Sequence, residues 1–299
     1  MHRHILYIIN PVSGTGRKND LQQLIKRKTE EKKIPFIIYP SVANGDYSLL
    51  LPVIAKEKIT DVVIAGGDGT VSQVVGSLLH SGVNFGILPC GSGNGLAYAA
   101  KIPRHISKAL DVVFNGKPVV VDGIDVNGSF ACMLCGMGFD ARVAHDFANQ
   151  TKRGLTNYIK LVAKNFFSSK TYPFSIQLKE QVFSTDAFFV SIANSNQFGN
   201  QFTIAPKASL YDGLLDVVIV TKQNKLSMFL QILKQLAGAN RLQIDSAIDQ
   251  NKAVIYFQTD QLSILNQSHA PLHIDGEPVT ATGKIEIRIL KKCFRLIQP

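Results

Sequence analysis

Long apolar runs are absent from the sequence, and no stretch approaches the roughly 20 apolar residues that a membrane-spanning helix needs. The first apolar run, Ile5–Ile9, has only five residues and no small-residue cleavage site, so a secretory signal peptide is not indicated. We therefore expect a cytoplasmic protein without a membrane-spanning helix.

Cysteine is scarce, with four residues in a chain of 299. Cys132 and Cys135 form a C-x-x-C pair, but a second pair at zinc-binding spacing is missing. The residues around the pair look like a buried strand, which favours ordinary core thiols over a metal or redox site.

Both common nucleotide-binding fingerprints are also missing. The sequence contains no G-x-x-x-x-G-K-[ST] loop, and Gly91, Gly93 and Gly95 do not follow the G-x-G-x-x-G spacing. No acidic residue follows them at the distance that would bind a ribose. A dehydrogenase is therefore disfavoured.

The formal net charge is +10, which favours anionic partners such as nucleic acids, membrane surfaces or phosphorylated ligands. Much of the excess lies in residues 17–33 and 288–295. No aromatic residues are interleaved in the first of these segments, so nucleic-acid binding is not indicated. Two interpretations stay open: a solvated helix face, and peripheral contact with an anionic membrane, worth about 1 kcal/mol per basic residue near the surface.

Length and patterning predict two domains. A chain of 299 residues with 45% hydrophobic residues is long enough for two packed cores. In the first third, short apolar runs alternate with helical patterns, which indicates a parallel sheet. The predicted strands are residues 4–9, 34–39, 61–65 and 85–89, and the predicted helices are residues 18–32, 46–57, 70–80 and 105–115.

Strands dominate from Val119 onward, which suggests a second, mainly antiparallel β domain. The predicted strands are residues 119–126, 129–134, 174–178, 187–193, 214–221, 252–258, 271–274 and 284–290. Helical interruptions are predicted within residues 140–168 and 225–237. An apolar stripe in residues 154–168 either belongs to the core or lines a lipid pocket. It consists of Leu155, Tyr158, Ile159, Val162, Phe166 and Phe167.

Three glycine-rich loops follow predicted strands of the first domain, at the position where open α/β sheets bind ligands. Loop 1 is residues 10–16 (N-P-V-S-G-T-G), loop 2 is residues 66–70 (G-G-D-G-T) and loop 3 is residues 91–95 (G-S-G-N-G). Small residues let backbone N–H groups approach phosphate oxygens. A plain tight turn would look similar to loop 1, whereas loops 2 and 3 also open helices, whose N-termini favour anions.

Loop 2 carries an aspartate, Asp68, among its glycines. A carboxylate would repel a bare phosphate, but it suits Mg²⁺ that bridges phosphate groups, directly or through water. The alternative is an aspartate that caps the helix in a glycine turn.

Two later segments place carboxylates beside glycine. Asp275-Gly276-Glu277 follows a short predicted strand, and a kinase needs a carboxylate that accepts the proton of the acceptor hydroxyl. A D-G hairpin turn explains the same residues. Asp212-Gly213 is either a turn or a small metal site of carboxylate and carbonyl oxygens.

The chain carries six motifs in order: N-P-x-S-G (10–14), G-G-D-G-T (66–70), L-P-x-G-S-G-N (88–94), G-F-D-A (138–141), I-A-P-x-A-x-x-x-D-G-L-L-D (204–216) and D-G-E-P (275–278). Together they resemble the diacylglycerol kinase catalytic-domain family, which includes sphingosine kinases and bacterial lipid kinases. G-G-D-G-T alone is shared with NAD kinases, whereas the whole series is much more specific.

The resemblance implies an α/β plus β fold. An N-terminal three-layer α/β domain with a parallel sheet would cover residues 1–122, and a β-sandwich domain would cover residues 123–290. A last strand, residues 291–299, would return to the first domain. ATP and Mg²⁺ are the implied cofactors, and a lipid with a hydroxyl group is the implied acceptor.

By motif position, Glu277 would be the general base, with Asp275 supporting it and Asp68 organising Mg²⁺. The expected nucleotide contacts are Asn10, Ser13, Gly14, Ser41, Gly66, Gly67, Asp68, Gly69, Thr70 and Ser92. The expected structural metal loop uses the carboxylate of Asp212 and the carbonyl groups of Ser209 and Leu214.

Two positions depart from the family pattern. Ser72-Gln73 stands where many bacterial members have Asn-Glu, so the charge near the metal would be weaker. In loop 3, Gly95 stands where bacterial diacylglycerol-type kinases commonly have aspartate, and the Gly-Ser-Gly-Asn sequence is more similar to sphingosine kinases. Loss of that carboxylate should change how the acceptor hydroxyl groups are held.

We therefore expect an ATP- and Mg²⁺-dependent lipid kinase. Two alternatives stay open: a kinase of a soluble acceptor, as in NAD kinase, and a catalytically silent nucleotide-binding module. The presence of both Asp68 and Glu277 argues against the silent module. The sequence leaves the acceptor lipid and the oligomeric state open, a homodimer included.

Overall fold

The computed structural model describes residues 3–11, 18–148, 161, 164–166, 168–197, 203–222, 244 and 248–299. The chain divides into two compact units, one of residues 1–122 with 291–299 and the other of residues 123–290. In the described part of the chain, no helix is both long enough and apolar enough to cross a membrane.

The first unit contains a parallel sheet. Its strands are β1 (Ile5–Ile9), β2 (Phe36–Pro40), β3 (Asp61–Gly66), β4 (Asn84–Pro89) and the end of β15 (Lys284–Gln298). Their order is β15-β4-β3-β1-β2, and every neighbouring pair is parallel. β1 and β3 are almost fully buried, as expected for central strands that are covered on both faces.

Helices connect these strands. They are α1 (Lys18–Glu31), a 3₁₀ turn (Ser48–Leu50) that leads into α2 (Leu51–Lys56), α3 (Asp68–Ser77), α4 (Gly95–Ala99) and α5 (Ile106–Asn115). The helix predicted for residues 46–57 begins only at Ser48. The reason is local, since Asp46 Oδ1 accepts a hydrogen bond from Ser48 N–H at 2.9 Å and so ends the preceding turn.

The second unit is built mainly from antiparallel strands and contains the helix α6 (Phe139–Ala148). The strands are β5 (Lys117–Val126), β6 (Ser129–Ala131), β7 (Leu134–Gly138), β8 (Tyr172–Gln177), β9 (Val182–Ala193), β10 (Leu215–Thr221), β11 (Val254–Thr259), β12 (Gln261–Leu265), β13 (Leu272–Ile274), β14 (Glu277–Val279) and β15.

One path through the strands of this unit has the order β14-β13-β7-β9-β8-β12-β15, while β10 joins β9 to β11 and β5 pairs with β6. Inward side chains of these strands form a large apolar core, which includes Met137, Phe174, Ile192 and Val217. An α/β unit with a parallel sheet followed by a β unit confirms the expected fold class.

Several strand bounds differ from the prediction for physical reasons. The strand expected at residues 129–134 is split into β6 and β7, because the N–H groups of Cys132 and Met133 bond to the carboxylate of Asp275. The two strands expected at the end of the chain form one strand, β15. Its Lys292 has φ +52° and donates its N–H to Asp122 Oδ1 at 2.6 Å.

The predictions missed β12 and β14. The helix expected within residues 225–237 and much of the helical region expected within residues 140–168 lie outside the described residues.

Candidate active site

The carboxyl ends of four parallel strands bring the candidate nucleotide residues to one edge of the sheet. Asn10 follows β1, Ser41 follows β2, loop 2 begins in the last residue of β3, and loop 3 lies just beyond β4. The sheet register places Ile9 opposite Pro40 and Ala65, so these ends are level. The expected contacts Ser13 and Gly14 lie outside the described residues.

Loop 2 turns β3 directly into α3. Gly67 is the N-terminal capping residue, and because it lacks a side chain it cannot cap the helix itself. The positive end of the helix dipole therefore has no side-chain cap at its first residue, which is the arrangement that binds phosphate groups in many proteins. Thr70 is buried in this first turn and accepts a hydrogen bond from Asn10 Nδ2 at 2.8 Å, which ties the end of β1 to α3.

Loops 2 and 3 approach each other closely through their backbone atoms. A Cβ atom built on Gly91 would lie 2.5 Å from the Cα of Gly67, closer than real Cβ contacts occur. The N–H of Cys90 also donates to the carbonyl group of Gly66 at 3.0 Å. Glycine is required at position 91 because only a residue without a side chain allows this approach.

Asn94 closes loop 3 on itself. It adopts a left-handed backbone with φ +55°, its Oδ1 accepts the N–H of Gly91, and its Nδ2 donates to the carbonyl group of Gly91, both at 2.8 Å. Asp68 reaches α4, the helix that loop 3 opens, since its Oδ1 accepts the N–H of Leu96 at a long 3.4 Å. Asp68 thus links loop 2 to the start of α4, and its role with Mg²⁺ stays a prediction.

The other two expected nucleotide residues differ in their surroundings. The hydroxyl of Ser41 hydrogen-bonds the side chain of buried Tyr47, whose pKa is raised by burial and lowered in part by this bond. Ser92 is exposed at the tip of loop 3. Nucleotide contact by these two hydroxyl groups stays a prediction.

The D-G-E segment forms a tight hairpin between β13 and β14. Ile274 pairs with Glu277, and the two turn residues, Asp275 and Gly276, have φ values of +48° and +81°. Positive φ at both positions defines a turn of type I′, for which Asp-Gly is a preferred sequence. The turn interpretation is therefore correct, and it leaves the carboxylate of Glu277 exposed at the start of β14.

Asp275 is buried and its carboxylate accepts three backbone hydrogen bonds. The donors are the N–H groups of Cys132 at 2.7 Å and of Met133 and Leu134 at 2.9 Å each. Bonds to an ionised acceptor are stronger than neutral ones. Asp275 therefore anchors the hairpin to the start of β7, and a catalytic contribution from it stays a prediction.

The expected metal loop is closed by its own side chains. Asp212 Oδ1 accepts the N–H of Leu214 at 3.1 Å, and Ser209 Oγ accepts the N–H of Tyr211 at 3.3 Å. Nearby Asp216 is fully buried, and burial raises the pKa of its carboxyl group, with the carboxylate of Asp212 raising it further. Tyr256 and Gln258 donate hydrogen bonds to Asp216, so its carboxylate already has protein donors, and metal binding by the Asp212 loop stays a prediction.

A resident Mg²⁺ held by protein side chains alone does not fit the α/β unit. Among the described residues, no group of three or more His, Cys, Asp or Glu side chains lies close enough to hold a metal ion. Asp68 beside two glycine loops does fit an ion that arrives with a nucleotide and takes most of its ligands from phosphate and water.

Other residues singled out in the sequence belong to the core. Cys132 and Cys135 are buried thiols that form no disulfide, and burial raises the pKa of the Cys135 thiol. Phe166 packs with Phe188 and Val220, while the other members of its apolar stripe lie outside the described residues.

Comparison with known proteins agrees with this geometry. Residues 4–126 match the family model of the diacylglycerol kinase catalytic domain, and residues 134–298 match that of the YegS C-terminal NAD kinase β-sandwich-like domain. An α/β domain with glycine loops at its carboxyl edge, followed by this β-sandwich-like domain, defines a class of two-domain kinases. Within that class, the chain belongs to the diacylglycerol kinase family of lipid kinases.

Relatives match nearly the whole chain at low identity. The diacylglycerol kinase of Bacillus subtilis is 27% identical over 276 residues, which cover 90% of this chain and 88% of the relative. A probable lipid kinase YegS-like of Shewanella frigidimarina is 26% identical over 303 residues, or 99% and 94% of the two chains. The crystal structure of a diacylglycerol kinase from Bacillus anthracis has a TM-score of 0.75 at 18% identity, covering 100% of this chain and 97% of that one.

Sequence reasoning missed three features of the site: the approach of Gly91 to Gly67, the self-closure of loop 3 by Asn94, and a buried pair of His273 with Asp140. The G-F-D-A motif marked Asp140, but nothing in the sequence linked it to His273.

Proposed function

We propose that the protein is an ATP- and Mg²⁺-dependent lipid kinase that transfers the γ-phosphoryl group to a hydroxyl group of a diacylglycerol- or sphingoid-type lipid. The observation that carries the proposal is the backbone contact of Gly67 with Gly91 at the start of α3. It brings loop 3 against the N-terminus of α3, and a helix N-terminus beside a glycine-rich loop suits phosphate oxygens. Membership of a lipid kinase family supports the same conclusion.

On the donor side, the chain's own residues bind and orient. When bound, Mg²⁺-ATP supplies the phosphoryl group, and the metal neutralises charge on the phosphate oxygens. Backbone N–H groups of loops 2 and 3, other than that of Gly91, would donate to those oxygens, and the carboxylate of Asp68 would hold the metal directly or through water. The amide of Asn10 and the hydroxyls of Ser41, Thr70 and Ser92 orient the nucleotide.

On the acceptor side, Glu277 takes the proton of the lipid hydroxyl. The hydroxyl oxygen then bonds to the γ-phosphorus while the bond from that phosphorus to the bridging oxygen of ADP breaks. Glu277 suits this role because its carboxylate is exposed and stands on a hairpin that Asp275 anchors. The proton leaves with solvent after product release.

The acceptor class is supported by two observations that point to different lipids. The Bacillus subtilis relative is named a diacylglycerol kinase, which favours diacylglycerol. Loop 3 has Gly95 in place of an aspartate and resembles sphingosine kinases, which favours a sphingoid base. Gly95 is buried as the first residue of α4, so no carboxylate extends from this position toward an acceptor.

A labelled-phosphate assay tests the proposal. Purified protein is incubated with γ-labelled ATP, Mg²⁺ and, separately, diacylglycerol, a sphingoid base, a mixed lipid extract and NAD. We expect label in a lipid product, and labelling of NAD alone would establish the soluble-acceptor alternative. ATP binding without transfer to any acceptor would establish a silent module.

Two variants and two matched controls test the residue roles. Glu277→Gln and Asp68→Asn should each lower transfer by roughly 100-fold or more, as expected for loss of a general base or a metal organiser. Glu286→Gln and Asp111→Asn remove exposed carboxylates that form ion pairs with Lys284 and Lys28, respectively, and they should transfer at the wild-type rate. Circular dichroism and thermal unfolding check that all four variants are folded. Wild-type turnover by folded Glu277→Gln would remove Glu277 from the mechanism.

Presentation of the lipid tests the proposed membrane contact. The net charge of +10 should raise turnover on vesicles that contain anionic lipid relative to zwitterionic vesicles. The difference should disappear at high salt, because a Debye length of about 3 Å at 1 M screens surface charges. Equal turnover on both vesicles at low salt would contradict the contact.

A further inference from the structure

A buried histidine holds the hairpin turn that precedes Glu277. His273 lies on β13 with 1% of its surface exposed, and its Nδ1 accepts the N–H of Gly276 at 3.2 Å. Its Nε2 faces Asp140 Oδ2 at 3.4 Å, and Asp140 is itself buried near the start of α6. A continuous polar chain therefore runs from α6 to the turn residue next to Glu277.

The hydrogen bonds assign the tautomer of the imidazole. Because Nδ1 accepts from Gly276, the ring proton lies on Nε2 and is donated to Asp140 Oδ2. The other oxygen of the carboxylate, Oδ1, accepts the N–H of Ala141 at 2.8 Å. The carboxylate oxygens thus have separate partners, and Asp140 sets the ring so that its acceptor faces the turn.

The surrounding backbone leaves space for this pair. Gly136 on β7 lies opposite His273, and a Cβ atom on Gly136 would collide with Asp140 Oδ2 and His273 Nε2. A second contact from the same helix reaches β13, since His145 Nε2 is 3.0 Å from the carbonyl oxygen of Leu272. Stability alone does not account for the pair, because apolar residues in place of buried polar pairs are often neutral or stabilising.

We infer that Asp140 and His273 are positioning residues for Glu277. They fix the N–H of Gly276, and with it the backbone from which the side chain of Glu277 extends. The inference rests on the proposed function, in which Glu277 accepts the proton of the acceptor hydroxyl. Loss of this positioning should lower kcat, because a displaced base slows transfer without changing how ATP binds.

Two isosteric variants of His273 separate its two hydrogen bonds. The amide of His273→Asn reaches the position of Nδ1, so it can accept from Gly276 but cannot reach Asp140. The amide of His273→Gln reaches the position of Nε2, so it keeps Asp140 and loses Gly276. We expect kcat to fall by about 10- to 100-fold in His273→Gln, as a displacement near 1 Å can cause, with little change in KM for ATP. His273→Asn should stay within about threefold of wild type, since it restores the bond to the turn.

Asp140→Asn provides an independent test through the tautomer. Its oxygen must stay with Ala141 N–H, so its NH₂ group faces His273 Nε2 and requires an acceptor there. The ring proton then moves to Nδ1. Two N–H donors, Nδ1 and the amide of Gly276, would then face each other, so the hydrogen bond between them is lost. We expect kcat to fall by about 10- to 100-fold, by analogy with the wrong-tautomer effect in a Ser-His-Asp site. In the His273→Asn background the same substitution should change kcat by less than about threefold, because no imidazole remains to be reoriented.

Hydrogen exchange of the peptide that contains Gly276 gives a readout that does not need activity. The amide of Gly276 should exchange faster in His273→Gln and Asp140→Asn than in wild type or His273→Asn. The melting temperatures of all four proteins should be equal, so that the difference reports the turn and not global unfolding. His269→Asn is the control, since His269 is exposed and its φ of +50° tolerates asparagine.

The outcomes separate the two hypotheses. Equal losses of kcat in His273→Asn and His273→Gln, or unchanged exchange in His273→Gln, would overturn the positioning role. A wild-type protein that transfers phosphate to no acceptor would overturn the proposed function, and the exchange measurements would still decide whether the pair holds the turn.

Discussion

A single methyl group added at position 91 should push loops 2 and 3 apart. In Gly91→Ala the new Cβ would lie 2.5 Å from Gly67 Cα, whereas an ordinary contact begins at 3.4 Å. The atom that it meets belongs to the backbone, which cannot rotate away as a side chain can. The loops must therefore separate by about 0.9 Å, the difference between these two distances.

Such a displacement should reduce nucleotide binding more than folding. Misplacement near 1 Å in a preorganised site can cost about 100-fold, so we expect the affinity for Mg²⁺-ATP to fall by roughly 10- to 100-fold. Overpacking should lower the free energy of unfolding by about 1–3 kcal/mol. Calorimetric titration with Mg²⁺-ATP and thermal unfolding of the same samples measure the two effects.

Two other glycines calibrate the measurement. In Gly67→Ala the Cβ would meet Gly91 Cα at 3.2 Å, so its effect on affinity should be smaller. Gly283→Ala has open space around its Cβ and should leave both affinity and stability unchanged. If Gly91→Ala binds Mg²⁺-ATP as tightly as wild type, loops 2 and 3 do not form the phosphate site.

Two further predictions concern the metal loop and a thiol. Without nucleotide, Mg²⁺ at 100 times its dissociation constant should stabilise the wild-type protein by about 2.7 kcal/mol. The variant Asp212→Asn should lose this stabilisation. The control Asp186→Asn removes an exposed carboxylate elsewhere in the β unit and should keep the stabilisation. Equal melting-temperature shifts in both variants would remove the proposed ion from that loop. Burial raises the pKa of the Cys90 thiol to about 11, so its thiolate at pH 8 should be about 100-fold rarer than that of a thiol with the ordinary value of 9.0. The rate of Cys90 alkylation, measured by mass spectrometry, should therefore be low at pH 8 and should rise up to about pH 11. Mg²⁺-ATP should lower this rate further. A rate at pH 8 equal to that of a free thiol would contradict the buried environment.

Much of the fold could be predicted because its signals are local. Buried apolar runs such as Ile5–Ile9 and the periodic pattern of α5 occur within single elements, so the α/β unit was predicted nearly element by element. The short strands β12 and β14 escaped prediction because three to five residues carry little periodicity. The helix expected from residue 46 begins later, because the carboxylate of Asp46 accepts the N–H of Ser48 in a turn before the helix.

The candidate site was predictable in its residue types and less so in its contacts. Loop 2 and the D-G-E segment were identified from glycine and carboxylate spacing, and the roles of Asp68 and Glu277 in catalysis stay predictions. Asp275 was expected to assist catalysis, yet the structure also gives it three backbone N–H donors from β7 and the residues before it. No local pattern reveals such donors, because they lie more than 140 positions away along the chain.

The sequence by itself determined the order of the motifs, the family, and the glycine-rich composition of loop 2, because each depends on residues that are neighbours in the chain. Tertiary structure alone decided which atoms meet. Gly67 contacts Gly91 only because β3 and β4 are adjacent and in register, and Asp140 reaches His273 across 133 positions only because α6 packs against β13. Hydrogen bonds and close contacts depend on tenths of an ångström, and those distances arise from the packing of whole elements.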